Sequence, residues 1–340
     1  MNNFFKRTKM MEEAKAQGRK IFPAFELLIF MGIYMVSSFV QSFVYAFFAS
    51  FYYYSDEKML LIFQMEKPDF GAFIERFLEL QSTIPEWLII LNIFLSFSLA
   101  VCAVIYCRFI DKRSIATLGL RKANVLTECV VGATAAFALI GAVAGIGVSI
   151  GVLKFNGKNG FSAVVLIFYV LSYAIWAFSN ELLIRGYYLT AITKTATPAY
   201  ALVSNGILSV LLYTMQYPVI ELSPVVLIGV LNTFLFAICA GVYVIKRGNI
   251  WGVCGFSFIW NFSRFIIFGF NNSGVIETSS IFNFSNVKGF DIINGGVYGI
   301  DHGLLVTLVL FIAFGILLRV KENPNETVEL SENENEEKSE

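Results

Sequence analysis

The chain has 340 residues, of which 57% are hydrophobic and 15% charged, with 25 basic residues against 25 acidic ones. This excludes an ordinary soluble domain, whose charged share is about a quarter. No P-loop, dinucleotide fingerprint or basic aromatic stripe is present, so no nucleic-acid partner is expected.

In chain order, residues 1–21 form a basic segment carrying Lys6, Arg7, Lys9, Lys15, Arg19 and Lys20. Apolar runs of the length that crosses a bilayer, about 20 residues, follow at 22–51, 85–109, 126–153, 167–192, 198–219, 224–245, 249–270 and 304–318. The first is too long for a cleaved signal peptide and has no small-residue cleavage site after it, so it is a retained helix. The expected fold is therefore all-α, a polytopic membrane helix bundle of about eight transmembrane helices over 22–320.

Loop charges orient it. Cations precede the first run, follow the second (Arg108, Lys112, Arg113, Arg121, Lys122) and follow the sixth (Lys246, Arg247), whereas the alternate loops 55–84, 216–223 and 271–303 are acidic or nearly cation-free. Under the positive-inside rule both termini are cytoplasmic. Residues 321–340 hold eight glutamates against Lys321 and Lys338, a solvated, disordered tail. The five cysteines fall within or beside the runs and read as small apolar filler. Gly132, Gly141, Gly145, Gly147 and Gly151 read as close helix packing.

Polar side chains inside lipid cost free energy unless paired, so each one is a candidate for function. The fourth run holds Asn180, Glu181 and Arg185, the last two one helical turn apart and able to pair. The fifth offers Asn205, Ser209 and Tyr213, the sixth Asn232, and the seventh Ser257, Asn261 and Arg264. At 1.5 Å per residue, Glu181, Asn261, Ser257 and Tyr213 lie ~17, ~18, ~12 and ~22 Å from the cytoplasmic ends of their helices. Three helices thus bring polar groups toward the midplane.

Ser179–Tyr188 resembles the Glu-Glu-x-x-x-Arg motif of the CPBP family, the CAAX prenyl endopeptidases and bacteriocin-processing intramembrane proteases also called Abi. The stretch 205–218 is similar to the family's Phe-x-x-x-His motif, with Ser209 and Tyr213 at its two positions. The stretch 248–270 is similar to its His-x-x-x-Asn region, with Ser257 and Asn261. Residues 113–122 and 295–311 are also family-like, and the resembling core spans about 85–320. The resemblance implies a bacterial cell-membrane protein. In the family the first glutamate and two histidines activate a water that attacks a peptide bond, and the asparagine helps hold the oxyanion.

Carried over, Asn180 stands in place of the proton-accepting glutamate, Tyr213 and Ser257 in place of the histidines, while Glu181, Arg185 and Asn261 match. The single histidine, His302, falls in the loop before the last run and is expected to be solvated. With two imidazoles and a carboxylate replaced, Glu181 is the only strong ligand left, so no metal or other cofactor is expected. Two functions stay open. One is a catalytically impaired pseudoprotease that binds a prenylated or bacteriocin-like peptide, or a membrane protein partner, in a midplane polar cavity. The other is an active CAAX-type or bacteriocin-processing, self-immunity endopeptidase using Glu181. A transporter ranks behind both, because no inverted repeat is visible.

Overall fold

The computed structural model describes residues 6–65, 69–160, 162–215, 223–270 and 279–323. Most of the acidic tail and the loop segments 216–222 and 271–278 lie outside the described residues.

In chain order the helices are α1 (Lys9–Gln17), α2 (Pro23–Tyr54), α3 (Glu57–Gln64), α4 (Phe70–Ser82), α5 (Glu86–Leu95), α6 (Phe97–Ile105), α7 (Val125–Ser149), α8 (Ala163–Glu181), α9 (Leu189–Ile192), α10 (Pro198–Thr214), α11 (Pro224–Arg247), α12 (Trp251–Phe262), α13 (Asp291–Asn294) and α14 (Leu304–Arg319). Every expected apolar run contains a helix. Among the described residues, five stretches are long and apolar enough to cross a membrane: Pro23–Tyr54, Glu86–Ile110, Val125–Ser149, Ala163–Ile192 and Pro224–Arg247. The protein is thus an all-α membrane helix bundle. Pro198–Thr214 and Leu304–Arg319 are shorter apolar helices, and α12 is extended by the π-helical turn Ser263–Ile267.

Local chemistry sets several ends. Proline opens α2, α10 and α11, where its missing N–H costs nothing. Thr197 and Ser223 cap the latter two by accepting from Tyr200 N and Val226 N. α11 stops at Gly248, whose φ of 68° suits glycine, after Lys246 and Arg247 in its last turn.

Two features depart from the sequence reading. A small antiparallel sheet pairs β1 (Leu153–Lys158) with β2 (Phe282–Asn286), and the acidic loop 55–84 folds as the helices α3 and α4. One end of the bundle gathers α1, the segment 111–122, residues 193–197 and the turn after α11. Arg19 N donates to Asp111, Arg121 pairs with Glu13, and Ile250 N donates to Gly119 O. The chain returns to this end after α14, where Asn323 N donates to Lys246 O. The opposite end carries α3, α4, β1, β2 and residues 290–303.

α7 and α12 pack backbone to backbone. A Cβ at Gly132 would run into Gly252, and one at Gly255 into Cys129, so small residues permit the approach. Gly147 packs on Leu153, but Gly141 and Gly145 face open space. The expectation that the whole glycine series serves helix packing is corrected to Gly132 alone, since Leu153 belongs to β1. Gly151 has a φ of 76° and serves the turn into β1.

Candidate functional site

Two groups of buried and half-buried polar side chains meet α12 and the π-helical turn after it, at Ser257 and at Arg264, seven positions or ~10 Å of helix apart. The first joins α8 to α12. Glu181 is the last α8 residue before the chain widens into the π-helical turn Leu182–Tyr188, which carries Arg185. Arg185 Nη1 lies 3.1 Å from Glu181 Oε2, with both side chains buried, and its guanidinium stacks 5.3 Å from the Phe236 ring centroid of α11. Ser257 Oγ donates to Glu181 Oε1 at 2.6 Å. Asn261 Nδ2 donates to Ser257 O at 2.9 Å, its own helix backbone. Single π-helical turns are frequent at functional sites; one here carries Arg185 and another follows Asn261, while a further one at Tyr106–Ile110 carries none of these residues.

The other expected site residues go elsewhere. Asn180 Nδ2 donates to Trp176 O at 2.8 Å, bonding back to its own helix. Ser209 Oγ does the same to Asn205 O. Tyr213 belongs to the second group, where its hydroxyl bonds to His302 Nε2.

His302 is only 1% exposed, which overturns the expectation of a solvated loop histidine. The physical reason is the docking of its loop. Asn232 Nδ2 on α11 donates to Asp301 O at 2.8 Å and Gly303 O at 3.1 Å, and Thr307 Oγ1 donates to Asn232 Oδ1 at 2.6 Å. Arg264 pairs with the Asp301 carboxylate, which also accepts from Trp260 Nε1 at 3.3 Å. Gly229 leaves room for both rings, since a Cβ there would meet His302 and the Tyr213 hydroxyl. Burial, then the Arg264 charge, push the His302 imidazole down to about 4. It is therefore neutral near pH 7.

A third polar group, missed in the sequence, sits at the α1 end. Lys194 Nζ lies 2.7 Å from Glu26 Oε1 and 2.9 Å from Asp111 Oδ2, and Arg113 Nε lies 2.7 Å from Asp111 Oδ2, all four side chains being buried. Tyr187 OH donates to Glu26 at 3.1 Å, and Arg113 Nη1 donates to Thr190 Oγ1 at 3.0 Å. The network ties α2 to the π-helical turn that follows Glu181. The signal was available in Glu26, an acid one turn inside the first apolar run.

No group of three histidine, cysteine, aspartate or glutamate side chains suited to a metal occurs among the described residues. Chemically, the first group is a neutralised ion pair with one hydroxyl donor, and the second holds a neutral imidazole beside a phenol.

A family model described as type II CAAX prenyl endopeptidase Rce1-like matches residues 161–263. The matched segment contains Asn180, Glu181, Arg185, Tyr213, Ser257 and Asn261, but ends before Arg264, Asp301 and His302. No curated protein and no solved structure matches the chain.

Proposed function

Residues 161–263 carry the Rce1-like segment of the type II CAAX prenyl endopeptidases, and on that premise we propose that this integral membrane protein binds, without cleaving, a peptide, a lipidated chain or a membrane partner at its midplane polar residues. The observation that carries the reading is the state of Glu181, whose oxygens are engaged by Arg185 and Ser257. A general base must reach the proton it takes, and Glu181 is buried with its charge committed to Arg185. Asn180, at the position of the family's proton acceptor, is an amide without useful basicity and bonds to its own helix. The setting belongs to the same reading: a bacterial cell membrane, with the α1 end and both termini facing the cytoplasm. The cations Arg19, Arg113, Arg121, Lys246 and Arg247 at that end support it. Prenylated and bacteriocin-like peptides are the ligand classes to offer.

One observation favours a second reading, an active endopeptidase. His302 brings an imidazole to Tyr213, the position at which the family carries a histidine. In that reading Glu181 takes the water proton.

Purified protein in detergent is offered prenylated and unprenylated peptides, alongside Glu181→Gln and His302→Ala. Binding without cleavage supports the binder. Cleavage that disappears in either variant overturns it and establishes the protease. The triple variant Asn180→Glu, Tyr213→His, Ser257→His tests the alignment, since a gain of cleavage identifies these as the motif positions.

A further inference from the structure

The segment between the first two long helices is placed by specific contacts. Asp56 caps α3 by accepting from Met59 N at 2.9 Å, and Asp69 caps α4 by accepting from Ala72 N at 3.1 Å. Arg76 Nε donates to Asp56 at 3.0 Å, and the same guanidinium pairs with Glu79. The inner faces of both helices pack on the end of α2, with ring centroids 5.0 Å apart for Tyr53 and Phe77 and 5.4 Å for Tyr54 and Phe63. Tyr52 OH donates to Thr83 O at 3.1 Å.

These contacts account for the inner face and for Arg76, and leave a stripe uncovered. Phe70, Ile74 and Leu78 follow one another at four-residue spacing on α4 and are 72%, 42% and 59% exposed; Leu61 on α3 is exposed as well. The exposed polar residue Glu75 is turned away from the stripe centre by about a quarter turn.

We infer that α3 and α4 form a membrane-immersed hairpin whose Phe70–Ile74–Leu78 stripe sits at the headgroup–acyl boundary of the leaflet opposite the α1 end. Three observations select lipid as the occupant. The exposed α2 residues Phe39, Phe43, Phe47 and Phe51 form an apolar stripe leading toward this end, and in a membrane bundle that stripe faces lipid. α2 has 32 residues, ~48 Å of helix, against a hydrocarbon core of ~30 Å. Its aromatic end, residues 47–54, therefore falls where interfacial aromatic belts sit. Residues 55–84 also carry six acids against three bases, so apolar burial rather than attraction to anionic lipid holds the hairpin.

The test uses nitroxide labels on Phe70→Cys, Ile74→Cys, Leu78→Cys and Glu75→Cys in the full chain, reconstituted in phosphatidylcholine bilayers, with the unsubstituted protein as the blank for the five buried or half-buried native cysteines. Oxygen partitions into lipid and a nickel chelate into water. The stripe labels are expected to show an oxygen-to-nickel accessibility ratio at least about threefold above that of the Glu75 label, unchanged when a third of the lipid is phosphatidylglycerol. Equal ratios at all four sites overturn the inference, as does shielding of the stripe from both reagents. Spin–spin broadening between stripe labels overturns it in favour of a second copy. Because none of these sites touches Glu181, Ser257 or His302, the result is independent of the binding or cleavage reading.

Discussion

Ser257 donates a 2.6 Å hydrogen bond to Glu181 across the α8–α12 contact, on the carboxylate that Arg185 neutralises. Removing one partner of a buried ion pair leaves an uncompensated charge and costs ~3–5 kcal/mol, whereas replacing both by neutral groups costs much less. Arg185→Met is therefore expected to lower thermal stability in detergent sharply. Glu181→Gln/Arg185→Met is expected to recover most of the loss. If the double variant is no better than the single, Arg185 acts through its stacking on Phe236 rather than through the charge.

Gly229 and His302 form a second coupled pair. A methyl at position 229 runs into the imidazole and the Tyr213 hydroxyl, and such overpacking costs ~1–3 kcal/mol. Alanine in a helix is otherwise favoured over glycine by ~1 kcal/mol. Gly229→Ala should thus destabilise the native protein but be neutral or stabilising in His302→Ala, a sign change that a double-mutant cycle of melting temperatures measures directly.

The same histidine makes stability depend on pH. Its folded value of about 4 lies below the unfolded value of about 6.5, so the fold prefers the neutral ring. The contribution is fully present above pH ~6.5 and is lost as pH falls toward about 4, on the order of 3 kcal/mol at most. His302→Gln removes this component. The stability advantage of the wild type over the variant should shrink on acidification through that window, and parallel profiles would show that the ring does not titrate there.

The apolar runs make the helices legible, because lipid permits few alternatives to a helix. The Glu181–Arg185 pair was equally legible, being fixed by i, i+4 spacing alone. His302 was not, because its burial depends on Asn232 gripping the backbone at Asp301 and Gly303, a contact between segments some 70 residues apart that no local pattern encodes. Tyr213 was counted near the midplane, but depth does not fix the direction of a side chain, and its hydroxyl joins the loop rather than Glu181. The π-helical turns after Glu181 and Phe262 break the 3.6-residue period on which the sequence reading rests. The acids of α3 and α4 give no helix signal, because charge alone does not distinguish a solvated loop from the polar side of a helix.

Lys194 offers the largest single effect outside the other two polar groups. Its ammonium lies between Glu26 and Asp111, shares Asp111 Oδ2 with Arg113, and none of the four side chains is exposed. Lys194→Met leaves Glu26 with no cation in contact and Asp111 with Arg113 alone, a loss of ~3–5 kcal/mol. Because Glu26 belongs to α2 and also accepts from Tyr187 in the turn after Glu181, the damage should reach both elements. Hydrogen exchange is expected to rise at the start of α2 and through Leu182–Tyr188 together, while β1 and β2 keep their protection. Adding Glu26→Gln should restore part of the stability by removing the unpaired acid. A rise in exchange confined to residues 193–197 would show instead that Lys194 only closes its own turn and does not couple α2 to the Glu181 helix.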